Sequence, residues 1–145
     1  MAIVKYPFRP QIGQNPYTKE IELILQPKIP IFLKINSFLY PFKIEPHVDS
    51  GATRNLFPAD PLAYLGIALE NKRKRKHFGI GGHEVISYTH EVEILIDNYS
   101  FITEIDFSRD HKPPLLGVEG FFRFFDSVKF DMTNNQMEFT YRLKN

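Results

Sequence analysis

The chain has 145 residues, enough for one domain with a real core and too few for two catalytic lobes; the expectation is a single domain over 1–145. It contains no Cys, which excludes disulfide frameworks, thiolate metal centres and a cysteine nucleophile. Eighteen Lys and Arg against 17 Asp and Glu leave a net charge of +1, so no global field draws the chain to nucleic acid or acidic lipid. No apolar run approaches the roughly 18 residues that span a bilayer, and Met1 to Pro10 lacks the apolar stretch of a signal peptide, so the expectation is a soluble, cytoplasmic protein with no membrane partner. Fourteen Phe and seven Tyr with 11 Pro and 8 Gly describe an aromatic core cut by many turns, which favours an all-β fold.

In chain order, residues 1–18 contain Pro7, Pro10, Gly13 and Pro16 and read as an irregular N-terminal arm pinned by aromatics. Ile21, Leu23 and Leu25, then Ile29, Ile31, Leu33 and Ile35, alternate as strands up to the turn pair Asn36-Ser37. Phe38 to Val48 reads as the return strand and delivers Asp49 to a turn. Asp60, Pro61 and Gly66 mark a short helix by an N-cap residue, an early proline and a closing glycine. Lys72 to Phe78 and His83 to Tyr88 flank Gly79-Ile80-Gly81-Gly82 as one hairpin, and Val92 to Ile96 pairs with Phe101 to Phe107 as another. Leu115-Leu116-Gly117 precedes a short segment, Val118 to Phe125, that reads as helical. Val128 to Tyr141 closes the chain as a hairpin around Thr133-Asn134-Asn135.

The stretch richest in chemistry is Val48-Asp49-Ser50-Gly51-Ala52, which puts a carboxylate at a strand end, followed by a hydroxyl, a glycine and a small residue. Here the sequence resembles the retroviral-type aspartic proteases (retropepsins) and their cellular single-domain relatives, whose signature is an apolar residue, Asp, Thr or Ser, Gly and Ala. Order along the chain strengthens the likeness: Gly79, Ile80, Gly81 and Gly82 resemble a flap tip, and Leu115-Leu116-Gly117 followed by Glu119-Gly120-Phe121-Phe122 resembles the helix motif of the cellular members. The resemblance runs from about Ile29 to Phe139. It implies a single-lobe acid-protease β-barrel with a flap hairpin, one or two short helices and a homodimeric assembly. It also implies an aspartic endopeptidase that acts on peptides in extended conformation.

Hydrolysis of a peptide without a metal or a covalent intermediate needs a general base for water and a general acid for the carbonyl oxygen. One carboxylate cannot be both at once, whereas two about 3 Å apart share a proton and divide the roles. No second Asp-Thr/Ser-Gly exists in the chain, so the partner carboxylate is expected from the Asp49 of a second copy across a two-fold axis. By the resemblance, Ser50 would hydrogen-bond across that dimer and the glycine-tipped hairpin would close over the substrate. Three positions depart from the family pattern: Thr53 and Arg54 stand where viral members carry acidic residues, and Val118 stands where many members carry Arg. Both ends of one expected ion pair are thus missing, and dimer contacts must differ from the viral arrangement. About 20 residues follow the helix motif, so viral interleaving of chain ends cannot simply be copied. His47 is a candidate pocket residue that would tune substrate choice or acidity; its plainer reading is a partly exposed strand histidine.

The run Lys72-Arg73-Lys74-Arg75-Lys76 could bind nucleic acid, although a solvated hairpin stem explains it as well. The five His show no metal-ligand spacing, so neither a metal nor a cofactor is expected. Gly79-x-Gly81-Gly82 lacks the third glycine of a dinucleotide loop, and Ser50 lies in no Gly-x-Ser-x-Gly elbow. The alternative to a protease is a catalytically weak or inactive dimeric scaffold of the same fold that binds peptides.

Overall fold

A computed structural model of the chain describes residues 1–79 and 81–143. Its elements in order are β1 (Ala2–Pro7), β2 (Arg9–Gln14), β3 (Ile21–Gln26), β4 (Ile31–Ile35), β5 (Phe38–Ile44), β6 (His47–Val48), β7 (Asn55–Pro58) and α1 (Asp60–Tyr64). They continue with β8 (Lys74–Phe78), β9 (Glu84–Ile96), β10 (Tyr99–Ser108), β11 (Leu115–Leu116), a 3₁₀ turn at Phe122–Phe124, β12 (Ser127–Asp131) and β13 (Gln136–Tyr141). The fold is all-β, as expected from the turn-rich aromatic composition. An eight-stranded sheet runs β5-β4-β9-β10-β7-β11-β6 with β8 on the flank of β9, while β1-β13-β12 forms a second sheet and β2-β3 a separate ribbon. Among the described residues no helix is long and apolar enough to cross a membrane.

Period-two patterning decides which faces are buried. Ile31, Leu33 and Ile35 of β4, Val92, Ile94 and Ile96 of β9, and Met137, Phe139 and Tyr141 of β13 all point inward. The hairpin turns match their residues: Asn36, Ser37, Asp97 and Asn135 adopt positive φ, a conformation that Asn and Asp tolerate better than most residues. An aromatic cluster joins the two larger sheets. The Phe101 ring stacks on Phe124 with centroids 4.3 Å apart, and Phe125 meets Phe139 at 5.0 Å. Tyr99 donates its hydroxyl to the Phe124 carbonyl at 2.6 Å. Each such ring pair adds about 1 kcal/mol beyond its buried area.

Three expectations are corrected. Residues 1–18 are not an irregular arm, because β1 pairs with β13 and β2 pairs with β3. Pro7 and Pro10 are accommodated because each of these strands is bonded on one side only, where a missing N–H need not break a ladder. The two expected hairpins, Lys72 to Tyr88 and Val92 to Phe107, are both present and share one 13-residue strand, β9, which pairs with β8, β4 and β10. The first helix has Ala59 rather than Asp60 at its N-cap, with no side-chain cap. The Val118 to Phe125 segment contracts to a single 3₁₀ turn, since the aromatic rings on it are drawn into the core rather than along one helix face.

Phe107 of β10 is wholly buried against Phe57 and His90. Phe107→Ala should therefore lower the unfolding free energy by about 3–5 kcal/mol, read as a shifted urea midpoint.

Candidate active site

The Asp49 turn is placed by backbone pairing. Strand β6 lies parallel to β11 with His47 opposite Leu115 and Val48 opposite Leu116. His47 N donates to the Pro114 carbonyl at 3.0 Å and Asp49 N to the Leu116 carbonyl at 2.9 Å. The chain then reverses: Ala52 N donates to the Asp49 carbonyl at 3.2 Å, and Gly51 N donates to Asp49 Oδ1 at 2.8 Å. A β-carbon on Gly51 would lie 3.2 Å from that carboxylate oxygen, so a glycine here keeps the carboxylate close to the turn without crowding. Asp49 is half-buried while Ser50 and Gly51 are exposed. Among the described residues no side chain hydrogen-bonds to Asp49 Oδ2 or to the Ser50 hydroxyl.

Behind the turn, two chain segments run side by side, with Val118 N on the Ala52 carbonyl and Glu119 N on the Thr53 carbonyl, both at 2.8 Å. The buried Asn55 amide locks them. Its Nδ2 donates to the carbonyls of Glu104 (3.0 Å) and Gly120 (2.8 Å), and its Oδ1 accepts from Gly117 N at 2.9 Å. Side chains at 117 and 120 have no room: a β-carbon on Gly117 would lie 2.6 Å from the Arg54 carbonyl oxygen, and one on Gly120 2.5 Å from Asn55 Nδ2. Asn55 is not among the residues to which the sequence patterns point. A polar residue at the start of a short strand is its only local signal, and its partners lie 49 to 65 residues away.

Arg54, one of the positions departing from the family pattern, forms a buried ion pair of its own. Its Nε donates to Asp106 Oδ2 at 2.7 Å and its Nη2 to Oδ1 at 3.0 Å, while Nη2 also reaches Glu104 at 3.3 Å. Arg73 pairs with the other oxygen of Glu104. Asp106 is fully buried and further accepts from Thr89 Oγ1 at 2.6 Å, with His77 Nε2 at 3.3 Å. Burial pushes the Asp106 carboxyl up, but the Arg54 and Thr89 hydrogen bonds and the charges of Arg54 and His77 hold it below the usual carboxylate range. Thr89 and His77 belong to the two strands of the glycine-tipped hairpin, so one carboxylate ties its stem to the segment that follows Asp49.

At the hairpin tip Gly79 N donates to the His83 carbonyl at 3.0 Å and Gly82 N to the Gly79 carbonyl at 3.1 Å. Gly81 and Gly82 take φ of 90° and 79°, which favour glycine. Ile80, expected at the tip, lies outside the described residues. Two cations of the basic run are paired with carboxylates, Arg73 with Glu104 and Lys76 with Glu84, while Arg75 donates to the uncharged Thr89 Oγ1.

His47 and Asp49 line the same open cleft of about 460 Å³, together with Pro27, Ser50, Leu115 and Phe130. His47 Nε2 donates to Gln26 Oε1 at 3.0 Å, which leaves the buried Nδ1 as an acceptor with no partner among the described residues. Burial and then the Lys28 charge push the His47 pKa down, opposed by the Asp49 carboxylate, so the ring favours its neutral form. A second cleft of about 310 Å³, lined by Arg54, Glu91, Glu104 and Glu119 among others, does not include Asp49. Among the described residues no three His, Asp or Glu side chains gather closely enough to hold a metal ion.

No family model and no curated protein matches this sequence. Solved structures do. A retropepsin-like aspartic protease from Rickettsia conorii superposes with a TM-score of 0.60 at 18% identity, over 95% of this chain and 98% of that one. EIAV protease, complexed with the inhibitor HBY-793, superposes with a TM-score of 0.51 at 14% identity, over 72% of this chain and 88% of that one. The chain therefore has a retropepsin-like fold.

The sign of the Asp106 shift sets an acid dependence. A carboxyl depressed in the folded state contributes fully above its ordinary pKa of about 3.9 and loses that contribution as pH falls through the lower folded value. Wild-type stability should fall on acidification below about pH 4, and Asp106→Asn should show a shallower acid loss from a starting point about 3 kcal/mol lower. Urea midpoints across pH check this, and parallel profiles for the two proteins would contradict it.

Proposed function

We infer that the protein is an aspartic endopeptidase in which residues 1–145 act as one protease domain and two copies each supply Asp49 to a shared dyad. The observation that carries this reading is the Asp49 carboxylate, held on a tight turn by Gly51 N and open to a cleft within a retropepsin-like fold. Alone, that carboxylate is either a base or an acid. Brought within about 3 Å of its two-fold mate, it shares one proton with it, because both cannot ionise together. The ionised member then takes a proton from water as the water oxygen attacks the scissile carbonyl carbon. The protonated member gives its proton to the carbonyl oxygen. The proton taken from water passes to the leaving nitrogen as the C–N bond breaks, a hydroxyl of the tetrahedral intermediate gives its proton to the other carboxylate as the C=O bond re-forms, and the dyad again holds one shared proton.

The remaining parts have matching roles in this reading. Ser50, exposed and without an intrachain partner among the described residues, would hydrogen-bond across the two-fold axis and stiffen both turns. The β8–β9 hairpin would act as a flap, with the glycines at 79, 81 and 82 permitting closure over an extended peptide bound by main-chain hydrogen bonds. His47, neutral and beside Asp49 in the cleft, would contact the substrate side chain nearest the dyad. The pairing of Arg73 and Lys76 with carboxylates supports a solvated hairpin stem rather than a nucleic-acid interface.

The test is incubation of purified protein with an unstructured polypeptide over a pH series, beside Asp49→Asn. Wild type should cleave best in the acidic to mildly acidic range and lose activity as rising pH strips the shared proton. Asp49→Asn should fall by at least about a hundredfold. Cleavage by both proteins would reject the assignment, and cleavage by neither would favour a peptide-binding scaffold.

A further inference from the structure

Strand β8 carries Lys74, Arg75 and Lys76, all exposed, in a chain whose net charge is only +1. Its register with β9 sorts these cations by face. Lys74 lies opposite Tyr88 and Lys76 opposite Ile86, whereas Arg75 lies opposite Ser87 and His77 opposite Val85, and residues directly opposite share a face. His77 contacts Ser87 at 2.9 Å and the buried Asp106 at 3.3 Å, and Asp106 in turn holds Arg54. The Arg75–His77 face is therefore the one turned towards the segment that leaves the Asp49 turn, which Arg54 follows by five residues.

Three guanidinium groups and two carboxylates meet on this side of the hairpin. Arg54 takes both oxygens of Asp106, while Arg54 and Arg73 divide the two oxygens of Glu104. Both carboxylates are thus already engaged, and among the described residues none pairs with Arg75. Yet Arg75 does not swing freely. Its Nε donates to Thr89 Oγ1 at 3.2 Å, and the buried Thr89 hydroxyl is itself fixed by donating to Asp106 Oδ1 at 2.6 Å. That chain of bonds orients the guanidinium and leaves both Nη groups without a partner among the described residues. A planar fork already held by one edge loses less freedom on taking a carboxylate than an unanchored surface side chain does.

We propose that Arg75 determines which polypeptides the protein selects, its free Nη groups binding the carboxylate of a substrate Asp or Glu close to the bond to be cut. The inference rests on the reading of the β8–β9 hairpin as a flap that folds over an extended peptide. Charge complementarity chooses the occupant: the surplus cation on the face turned towards the Asp49 segment calls for an anion, and the geometry of the fork suits a carboxylate taken in two parallel hydrogen bonds. Thr89 and Asp106 act as positioning residues for Arg75. Lys74 and Lys76, on the other face, have no part in the selection.

Two unstructured synthetic polypeptides test this, identical except that one carries Glu where the other carries Gln. Cleavage is followed at about pH 5.5, where a free Glu is ionised, at low and high salt, with the cut positions read by mass spectrometry. Binding is followed separately by fluorescence anisotropy of the labelled polypeptides in an Asp49→Asn background, and circular dichroism shows that each variant is folded. Wild type should cleave the Glu polypeptide with a KM at least about tenfold lower than the Gln one, at bonds flanked by Glu, and the advantage should shrink as salt rises. Arg75→Gln should raise the KM for the Glu polypeptide to that for the Gln one and hold kcat within about twofold, and Arg75→Lys should restore only part of the advantage, because a point charge lacks the fork. Lys74→Gln should match wild type. A folded Arg75→Gln chain that keeps the wild-type preference would overturn the role of Arg75 and leave the protease reading standing. If wild type cleaves neither polypeptide, but the Asp49→Asn chain binds the Glu one at least about tenfold more tightly and Arg75→Gln removes that difference, the carboxylate site stands and the protease reading falls. Equal treatment of the two polypeptides by wild type, or tighter binding of polyuridine RNA than of the Glu polypeptide, would overturn the proposal.

Discussion

The geometry of the site depends on one buried amide. Asn55 satisfies a backbone donor at Gly117 and two backbone acceptors at Glu104 and Gly120, so a single side chain fixes three segments that are distant in sequence. Without it, the Gly117 N–H and the Glu104 carbonyl would lose this partner, at a cost of about 1–3 kcal/mol each where they are buried, while the Gly120 carbonyl would keep its hydrogen bond from Thr103 Oγ1 at 2.6 Å. Because Asn55 holds the 117–120 segment against residues 52–55, it also fixes Leu116, whose carbonyl accepts from Asp49 N. The carboxylate is therefore positioned by main chain, and apart from its bond to Gly51 N it is left available for chemistry. That availability is also its limitation, since a solitary carboxyl has one protonation state at a time.

A second, charged assembly does for the hairpin what Asn55 does for the turn. Burying Asp106 would be costly for an unpaired carboxylate, and the bidentate Arg54 contact with Thr89 and His77 offsets that cost. Arg54 occupies one of the two positions where an acidic residue was expected, and with Val118 at the other end no charge is stranded. Arg54 pairs instead with Asp106 of β10. Its consequence is mechanical: the stem of the glycine-tipped hairpin and the segment following Asp49 converge on the same carboxylate, while the tip beyond Phe78 is left to its own short turn.

What was legible in the sequence is what is local. Asp49 to Ala52, the glycines at 79, 81 and 82, and Leu115-Leu116-Gly117 are contiguous, and each constrains its backbone through its own residues. The alternation of Ile31, Leu33 and Ile35 or Val92, Ile94 and Ile96 needs only the two-residue period of a strand to be read. The failures were non-local. Pro7 and Pro10 read as strand breakers because the sequence does not reveal that their strands are bonded on one side alone. Asn55 and the Arg54–Asp106 pair escaped notice because their partners lie about fifty residues away and no local pattern links them. At identities of 18% and 14%, the likeness to the superposed proteases is one of fold.

The central claim is that catalysis needs two copies of Asp49 in one cleft. Subunit mixing addresses it most directly: a fixed amount of wild-type chain is equilibrated with increasing Asp49→Asn chain and peptide cleavage is followed. If the dyad spans two chains, mixed dimers are inactive and cleavage falls towards zero as the mutant chain comes into excess. Cleavage that stays constant however much Asp49→Asn chain is added, under conditions where the two chains demonstrably exchange, would contradict the account.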